Sequence, residues 1–152
     1  MMFKTHLLFA LFISLLILNY FNLNPLIFIL ILVFSAILPD IDHSKSWIGR
    51  KIKILSWPIN FIFGHRKLIH SLFFILIIGI LIRIFFNNYY IPFVIGYLSH
   101  LFLDTLTKQG VYLFYPFKLR INGFIKTNGI IEKMFLMFLG LINMIYIVKI
   151  LY

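Results

Sequence analysis

The sequence predicts an all-α fold, a polytopic membrane helical bundle of about five transmembrane helices with one interfacial segment. Of its 152 residues, 62% are hydrophobic and only 12% are charged, whereas soluble domains are about half apolar and about a quarter charged. The charges are also unevenly spaced, and residues 5–39 contain none. These values exclude a soluble globule and, because disorder needs low hydrophobicity, a disordered chain. We expect residues 1–152 to form a single membrane-embedded domain.

The first two helices are predicted from the uncharged run at 5–39. A span needs about 20 residues, with a lower limit near 17, so this run suits two spans. Two asparagines followed by Pro25 supply a polar turn in its middle. We therefore predict helix one at 6–21 and helix two at 25–38.

Three further apolar runs predict the remaining helices. Helix three covers 68–86, with Arg83 near its end, and a turn rich in asparagine and tyrosine follows it. Helix four is predicted at 92–107, since Pro92 suits a first helical turn. The last apolar run predicts helix five at 134–151. Several of these runs are short for a span, so we expect local thinning of the bilayer.

Two basic stretches lie between the predicted spans. The stretch at 46–63 mixes three basic residues with two tryptophans and several aliphatic residues, a composition typical of a segment in the membrane interface. The stretch at 108–133 holds basic residues among glycines and a proline, and we predict a folded surface loop.

The basic residues predict the orientation through the positive-inside rule. With five spans, the N-terminal tail and the two long loops share one side of the membrane. Twelve of the 14 basic residues fall there, and only Arg83 and Lys149 fall on the other side. We therefore predict an inner-membrane protein with a cytoplasmic N-terminus and an external C-terminus. Because topology accounts for most of the net charge of +10, the charge argues against nucleic acid as a partner.

The residues capable of chemistry are also distributed unevenly. Four segments are predicted to deliver nearly all histidines and acids to the cytoplasmic ends of the helices. These residues are His6, Asp40, Asp42, His43, His65, His70, His100 and Asp104.

The pair His100 and Asp104 is the most informative of them. At i,i+4 spacing the two side chains project from one helix face. A carboxylate within a span costs about 2.5–3.5 kcal/mol of insertion free energy, so such a group points to function. Imidazole and carboxylate hold Zn²⁺, Mn²⁺ or Fe²⁺ when thiolates are absent, and this chain contains no cysteine. The pattern favours a divalent metal site, with zinc first and manganese or iron as alternatives, holding one or two ions.

Plainer interpretations exist for several of these residues. His6 could simply be a polar residue at head-group level. Asp40 and Asp42 follow Pro39 and could form a turn. His65, next to Arg66, could bind lipid phosphates electrostatically.

Three sequence elements resemble those of a known family. They are LPDIDH at 38–43, FGHRKLIHS at 63–71 and GYLSHLFLDTLT at 96–107. In this order they resemble the YdjM-type, LexA-regulated membrane-bound metal-dependent hydrolases, over about residues 6–117. That family is itself described as remotely similar to zinc-dependent phospholipase C and P1-type nucleases, in which an H-x-x-x-D pair binds metal.

The resemblance implies metal-assisted hydrolysis of a phosphoester at the cytoplasmic membrane face, with membrane lipids as surroundings and a lipid or lipid-linked phosphate as substrate. The core metal ligands would be Asp40, His70, His100 and Asp104, with Asp42, His65 and His6 completing a second metal. Asp42 would otherwise act as general base or orient a histidine. Arg66 would clamp a phosphoryl oxygen.

Two rivals from other classes stay open. One is a non-enzymatic membrane protein whose metal only fastens helices together. The other is a metal transporter, which should carry ionisable groups along a path through the bilayer. The only such group well inside a predicted span and away from the cytoplasmic ends is Arg83, toward the outer end of helix three, and this disfavours transport.

Overall fold

The computed structural model describes residues 1–42 and 67–152. These residues form five α-helices and no β-strand, which confirms the all-α prediction. The helices are α1 (Phe3–Ile17), α2 (Pro25–Ser35), α3 (Leu72–Phe86), α4 (Tyr90–Thr105) and α5 (Ile130–Leu151). Short 3-10 helices follow α1, α2 and α3 at Leu18–Tyr20, Leu38–Asp42 and Asn87–Tyr89.

The helix termini differ from the predicted ones where a side chain caps the helix. Helix α2 begins at Pro25 as predicted, with the Asn24 side chain accepting from two backbone N–H groups of the first turn. Helix α3 begins at Leu72 rather than at residue 68, because the Ser71 hydroxyl accepts from the backbone N–H of Phe74. Hydropathy alone does not locate such caps.

Three helical stretches within the described residues are long and apolar enough to cross a membrane. They are Phe3–Tyr20, Leu72–Thr105 and Ile130–Ile150. The second contains α3, a turn and α4, and its two helices pack against each other with Gly79 beside Val94. Helix α2, with 11 residues, is shorter than a span. The predicted count of about five spans is therefore not confirmed.

A close crossing of α2 and α4 brings the site-bearing helix ends together. A Cβ at Gly96 would overlap the Leu32 carbonyl oxygen and the Ser35 hydroxyl. Only glycine permits this approach, and one turn later the same face of α4 presents His100 to the carbonyl of Ala36. The apolar core beside this crossing consists of Ala10, Phe28, Leu32 and Ala36.

The outward helix faces are apolar, as expected for contact with lipid. Large side chains such as Ile84, Phe85, Met137 and Ile145 are more than half exposed, and exposed apolar surface of this extent is rare on soluble monomers. The predicted surface loop after α4 folds back on itself, and Lys108 donates its N–H to the carbonyl of Ile125. The predicted interfacial segment at 46–63 lies outside the described residues.

Candidate metal centre

Five of the predicted side chains converge at one end of the bundle. His6 lies near the start of α1, Asp40 in the 3-10 helix after α2, and His70 just before α3. His100 and Asp104 lie in the last two turns of α4. They form two overlapping groups whose donor atoms lie within 4.8 Å of one another: His6, His100 and Asp104, and Asp40, His70 and His100.

The orientation of His100 is set by a backbone carbonyl. Its Nδ1 lies 2.8 Å from the carbonyl oxygen of Ala36, and the ring is buried. Because a carbonyl oxygen only accepts, Nδ1 carries the hydrogen, and the lone pair of the neutral ring is on Nε2. Metal-binding histidines usually donate their other N–H in this way. The Nε2 atom therefore faces the cluster as a ready ligand.

His100 Nε2 forms a compact triangle with two other donor atoms, His70 Nε2 and Asp104 Oδ2. The Nε2 atoms of His70 and His100 are 3.3 Å apart. Each of these nitrogens lies 3.7 Å from Asp104 Oδ2. Ligand atoms bonded to zinc at about 2.0–2.1 Å in a tetrahedron lie roughly 3.3 Å from one another. The triangle therefore comes close to one face of a tetrahedral site.

His6 and Asp40 lie on either side of this triangle. The His6 ring stacks on His100 with centroids 3.9 Å apart, and its Nε2 lies 3.4 Å from Asp104 Oδ1. Its Nδ1 has no hydrogen-bond partner among the described residues although the side chain is buried. Asp40 Oδ1 lies 4.0 Å from His100 Nε2, and its side chain is 15% exposed. The cluster is therefore accessible on the Asp40 side.

The Met1 ammonium group also reaches the cluster. Its nitrogen lies 2.5 Å from Asp104 Oδ1, and both groups are buried. The two oxygens of this carboxylate thus face different partners, an ammonium and His6 at Oδ1 and two imidazoles at Oδ2. A cation bound at Oδ2 would not have to displace the ammonium.

The segment that carries His70 is held by two further contacts. The buried Tyr97 donates its hydroxyl to the carbonyl of Ile69, at 2.7 Å. The Leu72 N–H donates to the carbonyl of Leu113, at 2.8 Å, which ties the start of α3 to the loop after α4. The residues on either side of His70 are thus held by α4 and by the loop that follows α4.

A second buried carboxylate, Glu132, was not among the predicted site residues. Its Oε1 accepts from the Met2 N–H at 2.6 Å and from the Thr5 hydroxyl at 3.1 Å, and its Oε2 accepts from the Asn128 N–H at 2.6 Å. Its bond to Asn128, the residue before the N-cap Gly129, ties the start of α5 to the preceding loop, and α5 begins at Ile130 rather than at residue 134. A glutamate three residues after the N-cap is a known signal of a helix start and could have located it.

Some predicted site residues are not placed by the structure. His43, His65 and Arg66 lie outside the described residues. Asp42 ends the 3-10 helix Leu38–Asp42, two residues after Asp40. The catalytic assignments to Asp42 and Arg66, and the assignment of His65 as a ligand, therefore stay predictions.

Comparison with known proteins identifies the family. The family model described as "YdjM inner membrane protein" matches residues 1–151. The chain belongs to the YdjM family. Membership supports a location in the inner membrane, in agreement with the apolar helices, whereas the orientation of the termini stays a prediction.

Two relatives illustrate the family's range. The uncharacterized protein YvsG of Bacillus subtilis is 35% identical over 136 residues, which cover 84% of this chain and 82% of that protein. The inner membrane protein YdjM of Escherichia coli is 39% identical over 100 residues, 59% of this chain and half of YdjM. No solved structure matches the chain.

Proposed function

We propose that this chain is a membrane-bound, metal-dependent hydrolase that cleaves a phosphoester at the cytoplasmic membrane face. The observation that supports this best is the triangle of His70 Nε2, His100 Nε2 and Asp104 Oδ2, with sides of 3.3, 3.7 and 3.7 Å. Imidazole nitrogens and a carboxylate oxygen at this spacing suit Zn²⁺, with Mn²⁺ or Fe²⁺ as alternatives.

The chemistry of the donors also supports a cation. The carbonyl of Ala36 takes the N–H of His100, so the Nε2 lone pair points at another nitrogen and at a carboxylate oxygen. Two imidazole nitrogens and a carboxylate oxygen in these positions can all serve as ligands of one cation. His70, His100 and Asp104 would hold this ion, and Asp40 would complete the set from the exposed side.

One ion is the simplest occupancy of this core. Both donor groups share His100, whose Nε2 can bind a single ion because Nδ1 is engaged with Ala36. A second ion would use His6 and Asp104 Oδ1 together with the sequence-predicted Asp42 and His65. When bound, a divalent cation polarises a phosphoryl oxygen and lowers the pKa of water from about 15.7 to about 7.

The remaining residues have roles in access and proton transfer. Substrate would enter beside Asp40, the partly exposed member of the cluster. Asp42, two residues further on, would accept a proton from the attacking water or orient a histidine. Arg66 would hold a phosphoryl oxygen through two parallel hydrogen bonds. These last two roles rest on the sequence, which places Asp42 and Arg66 beside the predicted ligands.

The depth of the cluster favours a lipid or lipid-linked phosphate. The cluster lies where apolar helices end, with His6 as the fourth residue of α1 and Asp104 next to the last residue of α4. Helix ends of this kind lie at the level of the lipid head groups. In a membrane, lipid phosphates would therefore be the phosphoester groups within reach of the cluster.

A second candidate function is a purely structural ion that fastens the helix ends together. The observation that favours it is the complete burial of the His70, His100 and Asp104 side chains. Structural zinc sites are closed by four protein ligands, whereas catalytic sites keep one position for water or substrate.

One experiment tests both candidates. Detergent-purified full chain is analysed for divalent metal by mass spectrometry and assayed for hydrolysis of phosphatidic acid and of bis(4-nitrophenyl) phosphate, before and after chelation. A hydrolase binds about one ion per chain, loses activity on chelation and regains it with zinc, and Asp104→Asn abolishes both properties. Metal bound without any hydrolysis would favour the structural ion, and the absence of stoichiometric metal would eliminate both candidates.

A further inference from the structure

A cationic pocket lies beside the segment that carries His70. It is lined by Lys67, Tyr112, Tyr115, Pro116 and Lys118 and has a volume of about 280 Å³. Lys67 and His70 belong to the same turn before α3. The opposite wall comes from the loop after α4, whose Leu113 carbonyl accepts from the Leu72 N–H at 2.8 Å. The pocket and the metal centre are therefore joined through one short segment of chain.

The lining predicts the charge of the ligand. Two lysines, two tyrosines and a proline line the pocket, and none of the described lining residues is acidic. Such a set donates hydrogen bonds from several sides and attracts an anion. Lysine is a common partner of phosphate. The volume lies just below the range of about 300–1,000 Å³ typical of pockets for drug-sized ligands, so it suits a head group rather than a whole lipid.

The surroundings of the pocket place it at the membrane surface. Phe114, Phe117 and Leu119 alternate with the pocket residues along the loop, and each is about half exposed or more. Exposed aromatic and aliphatic residues interleaved with Lys118 and Arg120 are typical of a segment that lies in the head-group layer. A cationic pocket at this depth meets lipid phosphates rather than acyl chains.

We infer that the pocket of Lys67, Tyr112, Tyr115 and Lys118 binds the phosphate group of a membrane lipid. A role of this pocket in catalysis rests on the proposed function. In that case the substrate is a phospholipid or lipid-linked phosphate, held beside the metal centre. Binding itself does not need the metal, because none of the lining residues belongs to the His/Asp cluster.

The test is a binding titration of the detergent-purified full chain after chelation of metals. Dioleoyl phosphatidic acid is the probe, dioleoylglycerol is the matched lipid without phosphate, and inorganic phosphate is the soluble competitor. Lys67→Gln and Lys118→Gln each remove one pocket cation. Lys126→Gln is the matched control, since it removes the same charge from the same loop at an exposed residue outside the pocket lining.

We expect each pocket variant to raise the dissociation constant of phosphatidic acid about tenfold, as the loss of one charge-assisted hydrogen bond should do. Lys126→Gln should change it less than about twofold, dioleoylglycerol should not bind, and inorganic phosphate should displace the lipid only at concentrations far above that of the lipid. An equal loss of affinity for phosphatidic acid in all three variants, or no loss in any of them, would contradict lipid-phosphate binding in this pocket. Inorganic phosphate that binds as tightly as phosphatidic acid would show that the ligand is soluble phosphate and would overturn the assignment to lipid.

Metal content, measured on the same preparations before chelation, separates the two proposals. If metal is bound but phosphatidic acid binding does not depend on Lys67 and Lys118, only the pocket proposal fails. If the pocket binds as expected and no metal is found, only the proposed hydrolase fails.

Discussion

Two carboxylates are buried at the same end of this bundle, and their surroundings are opposite. Glu132 is surrounded by donors, namely the N–H groups of Met2 and Asn128 and the hydroxyl of Thr5. Asp104 lies among three imidazoles and pairs with the Met1 ammonium through Oδ1.

The difference separates a structural carboxylate from a candidate ligand. A buried carboxylate whose oxygens accept hydrogen bonds from the chain has its charge balanced within the fold. Asp104 pairs with the Met1 ammonium through Oδ1, and its Oδ2 faces two imidazole nitrogens that can act as metal ligands beside it. Burial is the same for both residues, so the partners and not the burial distinguish their roles.

The largest expected effect comes from neutralising each carboxylate in turn. Asp104→Asn should lower metal affinity more than about 100-fold, because loss of a direct ligand should exceed the 10- to 100-fold cost typical of losing an outer partner. Glu132→Gln should leave the metal content unchanged. Both variants are checked by metal analysis of detergent-purified protein. Equal metal loss in the two variants would contradict the assignment of Asp104 as a ligand and Glu132 as a structural carboxylate.

A helix crossing remote from either carboxylate should affect the metal as well as the packing of α2 against α4. Gly96→Ala forces α2 and α4 apart, because its Cβ would overlap the Leu32 carbonyl and the Ser35 hydroxyl. The contact of His100 with Ala36 is one turn away, so metal affinity should fall about 10- to 100-fold. The matched control is Gly140→Ala in α5, where a Cβ meets nothing within 4 Å. If both alanine variants bind metal like the wild type, the crossing does not position His100.

Glu132 should show its role in stability instead. Glu132→Gln replaces one accepting oxygen by a donor that faces N–H groups, and we expect a loss of about 1–3 kcal/mol in the free energy of unfolding. The measurement is thermal or denaturant unfolding in detergent, with Lys126→Gln as an exposed control. An unchanged stability together with lost metal would assign Glu132 to the site.

The smallest effect should come from Thr5. Thr5→Val removes the hydroxyl that donates to Glu132 at 3.1 Å and keeps the side-chain shape. We expect a loss of about 1 kcal/mol in stability and full retention of metal. In the Glu132→Gln background the same substitution should cost less, and a full additive loss would show that the two side chains are not coupled.

The sequence is sufficient to predict that the histidines and aspartates of the site lie close together. It is not sufficient to predict which backbone groups orient them. Gaps between charges place His6, Asp40, His70 and His100 near helix ends, and antiparallel helices bring alternate ends together. The i,i+4 spacing places Asp104 on the same face as His100. The carbonyl that orients His100 belongs to Ala36, a residue without chemical side-chain signal, and its position depends on the close approach at Gly96. Long-range backbone contacts of this kind leave no local pattern.

The first residues of the helices are also not predicted by hydropathy. Hydropathy locates the apolar part of α5, but the helix begins earlier, at Ile130, where Glu132 accepts from Asn128 in the preceding loop. Helix α3 is shortened by the Ser71 cap. Capping depends on one side chain and one N–H group, so a sliding average of hydropathy does not detect it.

X-ray absorption at the zinc edge of zinc-loaded, detergent-purified full chain tests the central claim most directly. The account predicts a shell of nitrogen and oxygen ligands at about 2.0–2.1 Å, with the outer scattering of at least two imidazoles. His100→Ala should remove one imidazole or the bound zinc altogether. A spectrum of fully hydrated or only carboxylate-bound zinc, unchanged by His100→Ala, would contradict a shared ion among His70, His100 and Asp104.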